Sequence, residues 1–269
     1  MAAIPTGTIM ATITTMAEAW AKIAASPRLN AMKGEEMPTN LPSNSAAETG
    51  LNTRALLRLM AWLSPAFPIG GFVWSGGLER AVADGLIKDA ADLESWLATL
   101  LGHGSLWNDA VLFAEAWRQT GESCGLHDVA ALGLALAGSA ERHMETSSLA
   151  KAFCAAASAW PTPVLQRLPA DAPFPIAVAA VASGHDVPLV QALAAYLHAA
   201  VSQAVSASIR LGVTGQRDAV AIIASLETQV EDISRRAAET TLDDLGTATV
   251  QAEIASLRHE TLHVRLFRS

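Results

Sequence analysis

From Asn52 to Glu260 apolar residues recur every three or four positions in successive runs of ten to twenty, and no stretch alternates with the period of two that a half-buried strand needs. Asn52 is a candidate N-cap, followed by Leu56, Leu57, Leu59, Met60 and Leu63 on one stripe. Pro65 closes that run, because the residue before a proline is pushed out of the α region. Asp89 caps the next helix, with Leu93, Trp96, Leu97, Leu100 and Leu101 on one buried face. Further helices are predicted over 106–119, 124–137, 140–158, 174–183, 187–211, 216–238 and 247–260, joined by short connections marked by Gly, Pro or Asp. Alanine and leucine, both strong helix formers, dominate, while aromatics make up 5% of the chain. The expected fold is all-α: a single-domain helical bundle of about eight to ten helices, antiparallel where connections are short.

The organisation is uneven along the chain. Residues 8–25 have helical character, but Ser26 to Gly50 is interrupted by Pro27, Pro38 and Pro42, so residues 1–50 read as a flexible N-terminal extension. Residues 51–258 form the helical domain and 259–269 a C-terminal tail for docking a partner. That tail joins Arg265 and Arg268 to Leu266 and Phe267 and ends at Ser269, and arginine beside aromatic residues is the composition of an interface hot spot.

The net charge of −8, with no basic stripe interleaved with aromatics, lacks the electrostatic footprint of a nucleic-acid binder. No uninterrupted apolar run reaches the roughly 18 residues that span a bilayer, and no cationic leader precedes an apolar stretch. Cys124 and Cys154 form no disulfide framework, so a reducing, cytoplasmic setting is expected. With charged residues at only 16%, some helix faces are expected to meet other chains instead of water.

Catalytic motifs are weak. His259-Glu260-Thr261-Leu262-His263 spells H-E-x-x-H, in which two imidazoles one helical turn apart hold zinc while the glutamate acts as base. A catalytic zinc needs a third protein ligand, and none follows His263. A zinc hydrolase is therefore the alternative reading, beside a generic helical adaptor. No G-x-x-x-x-G-K-[ST] phosphate loop and no G-x-S-x-G elbow occur, and His103, His127, His143, His185 and His198 are dispersed. No cofactor and no catalytic residue are expected.

Three segments carry a resemblance. The first is Ser64-Pro65-Ala66-Phe67-Pro68-Ile69-Gly70-Gly71-Phe72 with Ser75, Gly77, Leu78 and Glu79; the second runs from Tyr196 to Arg210 and on to Gly215-Gln216; the third is His259-Glu260 through Arg265-Leu266-Phe267-Arg268-Ser269. Together they resemble the urease accessory protein UreF family over about residues 52–269. Val213-Thr214 departs from the family's Pro-Leu before Gly-Gln, and His263 stands where tyrosine is common, so the H-E-x-x-H pattern reads as the product of one substitution.

The resemblance implies a non-catalytic assembly factor for the nickel centre of urease. It implies an all-helical homodimer that binds UreD (also called UreH), recruits the GTPase UreG and acts on the urease apoprotein. By that resemblance Phe72, Tyr196 and His198 contribute to the homodimer and its surroundings, Gln216 belongs to the retained Gly-Gln pair, and His259, Glu260 and Arg265 to Ser269 meet UreD. Pro68, Gly70, Gly71, Gly77 and Gly215 are read as turn residues. Glu79 has two readings: a residue facing UreG or a path for hydrated nickel, and a helix N-terminal carboxylate offsetting the dipole.

Overall fold

The computed structural model describes residues 52–121 and 123–269. The expected extension over residues 1–50 lies outside them. Among the described residues there are eleven α-helices and no strand. They are α1 (Thr53–Trp62), α2 (Leu78–Ala83), α3 (Ala90–His103), α4 (Ser105–Arg118), α5 (Ser123–Ala135), α6 (Ala140–Ala157), α7 (Phe174–Ser183), α8 (Leu189–Arg210), α9 (Gln216–Ser225), α10 (Glu227–Glu239) and α11 (Val250–His259).

Local chemistry sets many of the boundaries. Asn52 Oδ1 accepts the Ala55 N–H at 2.8 Å, Asp89 Oδ1 that of Asp92 at 3.0 Å, and Ser139 Oγ that of Arg142 at 3.1 Å. Each such cap contributes about 1 kcal/mol by satisfying an otherwise unpaired donor. Pro173 and Pro188 precede α7 and α8 in extended geometry, where no intrahelical N–H is missed.

The centre of the bundle is α7, whose residues Pro175 to Ala182 are all buried. A helix apolar on every side has to be enclosed, and α4, α6 and α8 surround this one. From α4 come Trp107, Val111, Leu112 and Phe113, and from α6 Phe153. Full burial of a side chain such as Phe113 or Phe153 contributes roughly 1.5–3 kcal/mol. On its other flank α8 packs along α10, α9 and α4. By length and composition α8 is the one helix among those described that could cross a membrane, but here Leu193, Leu197, Val201 and Val205 are core residues.

Two expectations need correction. The predicted stripe on α1 is rotated: the buried face is Ala55, Leu59 and Trp62, while Leu56, Leu57 and Met60 are exposed. Trp62 decides the rotation, since its fully buried indole stands edge-on to Trp160 at 6.0 Å and against the His185 ring at 5.4 Å. The helix predicted over 216–238 is two helices, broken at Leu226. Ile222, Leu226, Val230, Ile233 and Ala237 are buried on both sides of the break, and the main-chain bonds Leu226 N to Ile222 O and Val230 N to Leu226 O persist. The joint is thus a kink that preserves the apolar stripe, with no Pro or Gly to announce it.

Candidate functional site

The segment between α1 and α2 turns on glycine. Gly70 and Gly77 have φ of +72° and +81°, a left-handed geometry that costs other residues roughly 1–2 kcal/mol. At Gly77 a Cβ would also stand 3.0 Å from the backbone of Ser256 in α11, so glycine lets α2 start hard against α11. This packing delivers Glu79, in the first turn of α2, to the end of α11.

Glu79 is buried and has accepted the chain's own tail. Its Oε1 takes the Leu266 N–H at 2.7 Å, and its Oε2 takes the Phe267 N–H at 3.0 Å while lying 3.0 Å from His259 Nε2. The other ring nitrogen of His259, Nδ1, lies 2.6 Å from Glu141 Oε2, and Arg265 donates to Glu141 Oε1. His259 is fully buried at the C-terminus of α11, and Glu141 is buried in the first turn of α6. Burial alone would raise the Glu79 carboxyl, but the Leu266 amide, the His259 ring and the Phe267 amide outweigh it and hold Glu79 below the ordinary carboxylate range.

The tail then runs back along the glycine-rich segment. Arg268 N donates to Val73 O at 2.8 Å, Ser75 N donates to Ser269 O at 2.9 Å with the Ser75 hydroxyl donating to the same oxygen, and Gly76 N donates to Ser269 Oγ at 3.1 Å. The Ser269 hydroxyl reaches Glu145 at 3.3 Å; burial pushes that carboxyl up, with Arg142 and Ser269 acting against the rise. Phe267 is buried with the Arg210 guanidinium 4.2 Å from its ring centroid, and Arg210 also donates to Phe72 O. Gln203 of α8 donates to Gly71 O, which ties the same segment to the bundle.

The sequence-predicted residues therefore divide. Glu79, His259, Arg265, Phe267 and Ser269 converge, while Leu266, Arg268 and Phe72 share that end of the bundle with exposed side chains. The tail that the sequence assigns to a partner is docked on its own chain, with Phe267 and Ser269 buried there. Glu260 is exposed and accepts the Ala140 N–H at 2.8 Å, capping α6. Tyr196 faces the core instead of a partner, its hydroxyl donating to Asp109 at 3.0 Å beside the Arg142 to Asp109 ion pair at 2.7 Å. His198 and Gln216 are exposed and stand apart from the tail cluster, on α8 and at the first position of α9. Pro68 is exposed in the α1 to α2 connection, Gly71 opens a short 3₁₀ turn, and Gly215 precedes α9 in extended geometry.

The H-E-x-x-H pattern does not form a zinc site. Since α11 ends at His259, His263 is not one helical turn above it; the ring nitrogens of His259 face carboxylates and Glu260 points to α6. Among the described residues no three His, Cys, Asp or Glu side chains are placed to hold a metal.

Sequence reasoning missed Glu141 and Glu145. The signal available was two carboxylates four residues apart, in register with Leu149 on the core face of α6, where a charge demands a buried partner.

The UreF family profile matches residues 87–227. A urease accessory protein UreF from Agrobacterium fabrum is 62% identical over 224 residues, covering 83% of this chain and 100% of that protein. One from Rhizobium johnstonii is 65% identical over 216 residues, 80% of this chain and 97% of that protein. A urease accessory protein UreF 1 from Brucella canis is 56% identical over 217 residues, 81% and 95% of the two chains. Similarity of this degree, over nearly the whole of each relative, places the chain in the UreF family of urease accessory proteins, as an accessory factor and not a catalyst.

Proposed function

We propose that the chain is a cytoplasmic scaffold in urease maturation that bridges UreD/UreH and the GTPase UreG while the nickel centre of the urease apoprotein is assembled at the expense of GTP. The observation that supports this reading is the docked tail. It buries Phe267 as an anchor and leaves Val264, Leu266 and Arg268 exposed, with the Arg268 N–H bonded to Val73 O next to the exposed Phe72. Preorganising such a set on a rigid body lowers the ordering cost that a free terminus would meet on binding. The absence of a P-loop from the sequence fits a division of labour in which the nucleotide belongs to the partner. Glu79 acts in this reading by holding the tail.

The scaffold acts as a homodimer through the exposed α1 to α8 face. Leu56 and Met60 form a ridge beside a groove lined by Ala194, Ala195, Ala199 and His198. Large apolar side chains next to a row of alanines on one surface are self-complementary under a twofold axis. Met60→Arg is expected to give monomers by analytical ultracentrifugation with unchanged helix content, and dimers of undiminished stability refute that face.

The test of the main reading is co-purification with UreD and UreG. Deleting residues 260–269 is expected to abolish UreD capture while the helical body stays folded, and the double variant Leu266→Glu, Arg268→Glu, which leaves the buried anchor in place, is expected to do the same. Retained capture by both variants refutes the tail as the UreD contact.

A further inference from the structure

We propose that the end of the bundle where the tail docks receives a carboxylate-bearing segment of a partner protein, with Arg210 and Arg268 taking the carboxylates and Phe72 and Leu266 meeting apolar side chains. It rests on the reading of the tail as the UreD contact and names the chemistry that partner presents there. The observation behind it is which charges the chain matches internally and which it leaves exposed.

The carboxylates at this end are engaged by their own chain. Glu79 holds the Leu266 and Phe267 amides and meets His259, Glu141 meets His259 and Arg265, and Glu145 pairs with Arg142 and accepts from the Ser269 hydroxyl; all are buried. Asp84, where α2 ends, is matched by Arg80 and Arg258. Glu260, exposed after α11, caps α6 through the Ala140 N–H.

Two exposed arginines have no such match. Among the described residues neither Arg210 nor Arg268 forms an ion pair. Arg210 donates to the carbonyls of Ser206 and Phe72 and lies over the Phe267 ring, contacts that fix the guanidinium without neutralising it. Arg268 bonds Val73 O through its main-chain N–H, so both arginines are attached to adjacent residues of the segment that exposes Phe72. A guanidinium fork fits a carboxylate with two parallel hydrogen bonds, and arginine with exposed aromatic and aliphatic side chains is the composition that anchors protein interfaces.

The chain as a whole carries a net charge of −8, so this cationic end is opposite in sign to the body and orients an acidic partner surface towards itself. Nucleic acid fits less well, since specific duplex binders neutralise on the order of 6–10 phosphates. Here Arg210 and Arg268 stand beside an Arg265 already paired with Glu141.

Binding of the full chain to immobilised UreD, measured from low to high NaCl, tests this. Arg268 is the site to vary, because its main-chain bond to Val73 survives a change of side chain. Arg268→Gln is expected to weaken binding about 2- to 5-fold, the range of one exposed ion pair, and to flatten its salt dependence. Arg268→Glu is expected to weaken it about 10-fold or more, by setting like charges against each other. Arg217→Glu, exposed on α9, changes the net charge equally and is expected to bind as wild type. Binding indifferent to the charge at position 268, or weakened as much by Arg217→Glu, overturns the proposal alone, provided that deleting residues 260–269 still abolishes capture. Capture retained without those residues overturns the tail reading and this proposal with it. Labelled single-stranded DNA that competes with UreD for wild type but not for Arg268→Glu would assign the face to nucleic acid and also overturn it.

Discussion

Replacing Glu79 by alanine removes the acceptor for three donors at once: Leu266 N at 2.7 Å, Phe267 N at 3.0 Å and His259 Nε2 at 3.0 Å. A hydrogen bond to a charged group contributes about 1.5–3 kcal/mol net, so the two amide bonds alone set a nominal loss of about 3–6 kcal/mol. The observable loss is smaller, because a tail that lets go exchanges those bonds for water and the penalty stops at the free energy of docking. Releasing Phe267 from burial accounts for roughly 1.5–3 kcal/mol of that docking energy. We therefore expect opening of the tail to be favoured by about 3 kcal/mol, which is roughly a 100-fold loss of protection at residues 266 and 267. Hydrogen exchange read peptide by peptide measures this, with chemical denaturation as the control for the body. Glu79→Gln, which keeps one carbonyl acceptor and the side-chain shape, is expected to fall between wild type and alanine. Unchanged protection of residues 262–269 in Glu79→Ala would refute the assignment of Glu79 as the residue that holds the tail.

Gly77→Ala combines a positive φ with a Cβ 3.0 Å from the Ser256 backbone, and is expected to destabilise the chain by about 2 kcal/mol or more in urea titrations. Tyr196→Phe leaves Asp109 and Arg142 without the hydroxyl at the core, and a loss of about 1–3 kcal/mol is expected with no change in binding to UreD. Acidification acts through Glu79: its carboxyl titrates below the ordinary value of 4.5, so its contribution is complete above that value and is lost as pH falls through the lowered one. Protection of the Leu266 and Phe267 amides, the two that Glu79 holds, is expected to persist from neutral pH down to that acid range, and an earlier decline at these two amides in wild type would contradict the assignment.

The helical architecture was legible because amphipathic periodicity and capping residues are local signals. Asn52 and Asp89 announced their helix starts within three residues of themselves. The α1 face was misread because spacing alone cannot weigh one Trp62 against Leu56 and Met60; that choice is made by Trp160 and His185, more than ninety residues away. At Leu226 the apolar stripe continues through the kink, so no pattern marks it. For the candidate site, the glycine-rich segment and the tail were found by their resemblance, but their direct contact was not. Glu141 was missed for the same reason, since its partner His259 lies 118 residues further along the chain. Tyr196 was placed on a partner surface where the structure gives it a buried hydroxyl partner, a distinction that depends on how α4 and α8 pack.

The most direct test of the scaffold reading is the nickel content of urease purified from cells that carry the urease cluster and differ only in this gene. Urease from cells lacking the chain is expected to be nickel-poor, restored by the full chain and left nickel-poor by the chain without residues 260–269. Urease carrying its full nickel complement in the absence of the chain, or with the tail removed, would contradict it.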